Sequence, residues 1–151
     1  MFLFSGIVTA QEDLNPVTII SQEFEPAQVA QGGEAELVVK VAIIPTWHIS
    51  SHAEHDGQEA TSFAITTKGA SISGPIKENE PHKVMQSWGD TNYWHEDTAT
   101  FRIPVKFDDT LKGKKQIRAT ITFQACDPKA CLDIQTIKFK APITLAEASA
   151  G

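Results

Sequence analysis

Apolar and polar residues alternate along much of this chain. "AELVVKVAI" (35–43) is rich in Val and Ile, as a half-buried strand should be. "TSFAITT" (61–67) sets Phe63 and Ile65 among polar residues. "ATFRIPVKF" (99–107) places Phe101, Ile103, Val105 and Phe107 on one face, and "QIRATITF" (116–123) does the same with Ile117, Ala119, Ile121 and Phe123. "DIQTIKFKAPI" (133–143) supplies Ile134, then Ile137 and Phe139, and the three-residue gap predicts a bulge or twist. Turn signals separate these runs at Gly32-Gly33, Lys68-Gly69, Gly74-Pro75, Asp108-Asp109 and Lys112-Gly113. No helical period is sustained. The expectation is an all-β domain, a two-sheet sandwich of immunoglobulin-like type. Pro104 predicts an edge strand or a bulge in its strand.

Two stretches fit the strand pattern poorly and read as loops: "IPTWHISSHAEHDGQEA" (44–60) and "KENEPHKVMQSWGDTNYWHED" (77–97). The second carries Trp88, Tyr93 and Trp94, and long loops in a compact sandwich are usually functional or mobile. Residues 1–10, "MFLFSGIVTA", resemble a signal-peptide remnant ending in small residues, with a first strand or a tag as the alternative. The domain proper is then expected over 11–145, and 146–151 as a tail or linker.

With 151 residues, 41% hydrophobic and 21% charged, the chain is long enough for one domain with a real core. Its formal charge of -6 lacks the basic footprint that nucleic acid or an anionic membrane surface requires. No apolar run approaches the roughly 18 residues of a membrane span.

The only cysteines, Cys126 and Cys131, lie in "FQACDPKACLDIQ" (123–135). They can staple a turn, hold a metal or exchange electrons. Asp127-Pro128 gives the intervening segment turn chemistry, so its ends can approach the ~5.5 Å Cα separation of a disulfide. A loop this short yields about 2 kcal/mol of stability and ties no distant parts together. A structural staple in such a sandwich more often joins the two sheets, so the placement favours an exchangeable bond. A closed zinc site needs four ligands. His48, His52 and His55 have helical spacing in a segment read as loop, and His82 and His95 are scattered, so no metal is expected. Hydrolase and phosphate-binding motifs are missing, and no cofactor is expected.

Three segments in order resemble the N-terminal periplasmic domains of the DsbD-like, or disulfide-bond-corrector, family. They are "VAIIPTWHISSH", "QSWGDTNYWHEDTATFRIPVKF" and "ITFQACDPKACL", and the likeness spans roughly 17–143. The resemblance implies an immunoglobulin-like, monomeric, periplasmic thiol:disulfide oxidoreductase domain whose redox pair is Cys126 and Cys131. It implies electrons received from a thioredoxin-like partner, fed through a membrane-embedded domain in this or another chain. They would pass to periplasmic disulfide isomerases or cytochrome c maturation proteins. It also places Trp88 and Gly89 in a cap that shields the pair, with Met85 and Ser87 nearby; a Trp88 packed in the core is the alternative. The chain departs from the family in its four-residue inter-cysteine loop, in Leu132-Asp133 where two prolines often follow, and in a longer "GDTNYWHED".

Asp127 and Asp133 flank the pair with Lys129 between, which should disfavour a thiolate. The competing class is a secreted binding module with a structural disulfide, presenting the aromatic stretch 85–94 to its partner.

Overall fold

The computed structural model describes residues 15–53 and 59–147. The expectations for residues 1–10, for His55 and for the end of the tail fall outside the described residues. Among the described residues thirteen strands follow in order: β1 (Val17–Glu25), β2 (Gln28–Ala30), β3 (Glu34–Ile43), β4 (His48–Ser50), β5 (Ser62–Ile65), β6 (Ala70–Ile72), β7 (Lys77–Glu78), β8 (His82–Met85), β9 (Thr91–His95), β10 (Thr98–Phe107), β11 (Gly113–Phe123), β12 (Ala125–Cys126) and β13 (Gln135–Ala146). No helix among the described residues is long and apolar enough to cross a membrane.

Two large sheets make the sandwich. One has the order β1-β3-β10-β6, with β7 also on β10; the other has the order β2-β13-β11-β5. Alternation decides which faces meet. Leu37, Val39 and Val41 of β3 and Phe101, Ile103, Val105 and Phe107 of β10 point inward from the first sheet. Ile117, Ile121 and Phe123 of β11 and Phe139, Ala141 and Ile143 of β13 do so from the second, and all belong to one core. The immunoglobulin-like sandwich expected from the pattern is present.

Three details differ from expectation. The strand with Pro104 is an internal one, paired with β3 without a break from Thr98↔Ala42 to Lys106↔Glu34. The Pro104 carbonyl accepts from Ser73 N at 2.9 Å, so its backbone faces the other side. There β6 pairs only as far as Val105 and β7 only at Phe101 and Arg102, so the missing N–H falls between them and no ladder bond is lost. Second, β11 and β13 keep one register from Gly113↔Leu145 to Phe123↔Gln135. Ile134 precedes the strand and is 53% exposed, so the three-residue gap marks the strand's start and no bulge. The irregularity lies in β1, between Ile19 and Ser21.

Third, the segments read as loops supply β7, which joins β10 of the sandwich, and β4, β8 and β9, which with β12 form a further sheet of order β12-β4-β9-β8. Its strands are too short and polar to show a period. On β4, Ile49 joins the core, as does its partner Ala125 on β12. Their neighbours His48 and Cys126 therefore take the opposite face. This small sheet turns the cysteines away from the core.

Candidate functional site

Beyond Phe123 the chain leaves the core sheet. Asp127 N donates to Ala130 O at 2.8 Å, and Leu132 N donates to Ala125 O at 2.9 Å. These two bonds set Cys126 and Cys131 directly opposite each other. Their Cα atoms are 3.9 Å apart and their sulfurs are bonded. Asp127 closes the turn itself, its Oδ1 accepting from Lys129 N and Ala130 N at 2.8 Å each. Those N–H groups, Ala130 first and Lys129 second, hold the Asp127 carboxyl below the usual carboxylate range. The turn is thus closed by backbone and carboxylate, independently of the disulfide.

The two sulfurs sit in different surroundings. Cys126 is 4% exposed, whereas Cys131 is an exposed residue and lines a cavity of about 900 Å³. Trp47, His48, Trp88, Trp94 and Asp127 line it too. The His48 ring lies flat on Trp94, with centroids 3.5 Å apart and planes at 13°. Among the described residues, the charged ones of this lining are Asp90, Glu96, Asp97 and Asp127, all carboxylates.

Trp88 reaches the cavity from the turn between β8 and β9. Gln86 N donates to Asp90 O at 2.8 Å, and Gly89 N donates to Gln86 O at 3.0 Å. Gly89 has φ 108°, a conformation that side chains resist, while a Cβ there would meet nothing within 4 Å. Backbone angle, not space, therefore calls for glycine. Trp88 Nε1 donates to Asp90 Oδ2 at 2.8 Å, and the residue is 70% exposed, so it is not core packing. Met85 and Ser87 are exposed on the same hairpin but do not line the cavity. Of the four residues given to a cap, Trp88 shares the cavity with Cys131, and Gly89 shapes the turn that holds it.

The histidines divide. His52 Nδ1 contacts Thr61 O at 2.8 Å, and His95 Nε2 contacts Glu78 Oε1 at 2.7 Å. Among the described residues no group of three or more His, Cys, Asp or Glu is placed to hold a metal ion. Glu78 is the anchor of the small sheet. Besides His95 it accepts from Ser51 Oγ at 2.6 Å, His52 N at 2.9 Å and Ala53 N at 3.1 Å. Burial pushes its carboxyl up, but the bonds from His95, Ser51, His52 and Ala53 outweigh it and bring the pKa down to about 2.

Trp47, His48 and Trp94 escape a sequence-based site assignment. In the sequence His48 enters only as a metal-ligand candidate by its spacing to His52 and His55, Trp94 only within the aromatic stretch 85–94, and Trp47 through no signal beyond its own aromatic ring.

No protein-family model and no curated protein sequence matches the chain. Solved structures do. The reduced N-terminal domain of DsbD from Neisseria meningitidis superposes with a TM-score of 0.52 at 13% identity, covering 87% of this chain and 90% of that one. The N-terminal periplasmic domain of ScsB from Proteus mirabilis gives a TM-score of 0.47 at 15% identity, covering 89% of this chain and 47% of that one. The first likeness shows that this chain has the fold of a DsbD N-terminal domain.

Proposed function

We propose that the protein is an extracytoplasmic thiol–disulfide exchange domain whose redox group is the Cys126–Cys131 disulfide. One observation carries the reading. The bond joins two residues that backbone hydrogen bonds already hold opposite each other, and it presents one sulfur-bearing residue to an open aromatic cavity. Such a bond adds little to the fold and is open to attack.

A partner thiolate attacks Cys131 Sγ, since Cys131 is the exposed member of the pair. The Cys126–Cys131 bond breaks, its electron pair goes to Cys126, and a mixed disulfide joins the partner to Cys131. The partner's second thiol then displaces Cys131 and leaves the dithiol form here. The same steps in reverse reduce a downstream disulfide. The fold likeness to a DsbD domain and the resemblance of the cysteine segment favour a thioredoxin-like donor and periplasmic disulfide-exchange acceptors. The turn bearing Trp88 and Gly89, flanked by Met85 and Ser87, acts as a partial cover through Trp88, which shares the cavity with Cys131, until a partner displaces it.

The reduction potential is the test. Equilibration with glutathione or dithiothreitol, followed by thiol labelling, should place it above about -300 mV, the level below which structural bonds of secreted proteins lie. A lower value, with a native bond that resists millimolar dithiothreitol, would instead leave a binding module with a structural disulfide.

A further inference from the structure

The sheet register puts His48, Cys126 and Cys131 in one row. His48 pairs with Cys126, and Cys126 pairs with Cys131. Directly opposite residues of antiparallel strands share a face, with Cβ atoms roughly 4.5–5.5 Å apart. His48 and Cys131 line the same cavity, and Cys126 is buried between them in the row. Two more histidines belong to this sheet: His95 pairs with Ile49 and packs edge-on against Phe101, so it and Glu78 lie on the core side, and His82 of β8 is exposed, pairs with Trp94 and does not line the cavity.

Exchange makes a demand at this row. Attack on Cys131 expels the Cys126 sulfur as an anion. That residue is 4% exposed, so water cannot solvate the charge, and an unpaired buried charge is costly. The charged groups around the cavity oppose it: Asp90 from the β8–β9 turn, Glu96 and Asp97 after β9, and Asp127 after β12. Lys129 is exposed at the tip of the turn. His48 is the member of the row that carries an imidazole, the side-chain type that, unperturbed, exchanges a proton between about pH 5 and 8. Its stack on Trp94 holds the ring in place, and an indole face attracts an imidazolium.

We propose that His48 protonates the Cys126 sulfur as the disulfide opens and removes that proton as it closes. The proposal rests on the exchange reading above. In the opening step the partner's thiolate bonds to Cys131 Sγ while the electron pair of the broken bond goes to Cys126 Sγ. The His48 proton moves to that sulfur and leaves a neutral imidazole. The partner's second thiol, having lost its proton to solvent, then displaces Cys131, which takes a proton from water. Two electrons have entered, and the partner departs as a disulfide.

The test is reduction of the oxidised protein by dithiothreitol across the imidazole range, with each rate divided by the thiolate concentration. The wild-type rate per thiolate should rise by about tenfold or more as pH falls through that range. His48→Phe, which keeps a ring on Trp94 but has no proton to give, should be flat. His48→Gln serves as the second variant if Phe perturbs the fold. A flat wild-type profile, or the same rise in the variants, overturns the role of His48 and leaves the exchange reading standing. A native disulfide that dithiothreitol does not reduce at any pH overturns both.

Discussion

The sandwich and the small sheet beside it are built on different terms. In the sandwich, β11 and β13 hold one register along the whole length of β11, and the residues between the sheets are nearly all apolar and fully buried. In the small sheet, β12 meets β4 at two positions only, Ala125↔Ile49 and Cys126↔His48. Its buried members include His48, Ser50, Asn92 and His95, which are polar. The sandwich rests on apolar area, which is cooperative and unspecific. The small sheet rests on hydrogen bonds and one carboxylate, which can be remade locally at modest cost. Under the proposed exchange function, this division would let the site adjust to a docking partner while the scaffold stays fixed.

Phe101→Ala should break the scaffold most severely. Phe101 is fully buried and contacts Phe63 and His95. Its loss should cost about 3–5 kcal/mol in denaturant melts. A cost below about 1 kcal/mol would mean that the sandwich is not the stable region.

Glu78 joins the two regions, since β7 pairs with β10 while its carboxylate holds His95 of β9 and the backbone after β4. Glu78→Gln keeps the shape and removes the charge, and should cost about 1–3 kcal/mol. The carboxyl pKa is lowered from 4.5 to about 2, so its contribution is complete above about pH 4.5 and is lost as pH falls toward 2. Wild-type stability should therefore drop across that window, and the variant's drop should be smaller. Parallel acid titrations would refute the anchor.

Replacing both cysteines with alanine should cost less, below about 2 kcal/mol, because the closed loop is short and the turn is held by Asp127. The β-sheet circular dichroism should persist. Global unfolding would make the bond a staple and end the contrast between the regions.

The sandwich is the part that sequence makes legible. In 99–107 and 116–123 the side chains alternate, and Phe101, Ile103, Ile117 and Ile121 are all fully buried, because a long strand between two sheets must repeat every second residue. The cysteine turn is legible too, since Asp127-Pro128 between two cysteines is local chemistry. The small sheet is not. Its strand β4 reads "HIS" and is buried throughout, yet three residues carry no period. His48 owes its place beside Cys126 to a strand pairing between distant parts of the chain, which composition cannot report. The same limit explains Pro104, whose tolerance depends on where β6 and β7 happen to end.

The smallest change to stability is expected at Trp88. The side chain is 70% exposed and makes one hydrogen bond, to Asp90 on its own turn, so Trp88→Ala should alter stability by no more than about 0.5 kcal/mol. Its effect should appear in the rate of exchange. Exposed sulfurs react with any passing thiol, and Trp88 faces the cavity that Cys131 lines. Removing the indole should speed reduction by dithiothreitol. The gain should stay within about tenfold, since a side chain this exposed can supply little more than about 1.4 kcal/mol of closure. Reduction by a docking thioredoxin-like partner should change less, because in the proposed exchange the partner displaces the turn in either case. Stopped-flow reduction paired with denaturant melts separates the outcomes. A large stability loss with an unchanged small-thiol rate would move Trp88 to the scaffold side of the comparison and eliminate the cap.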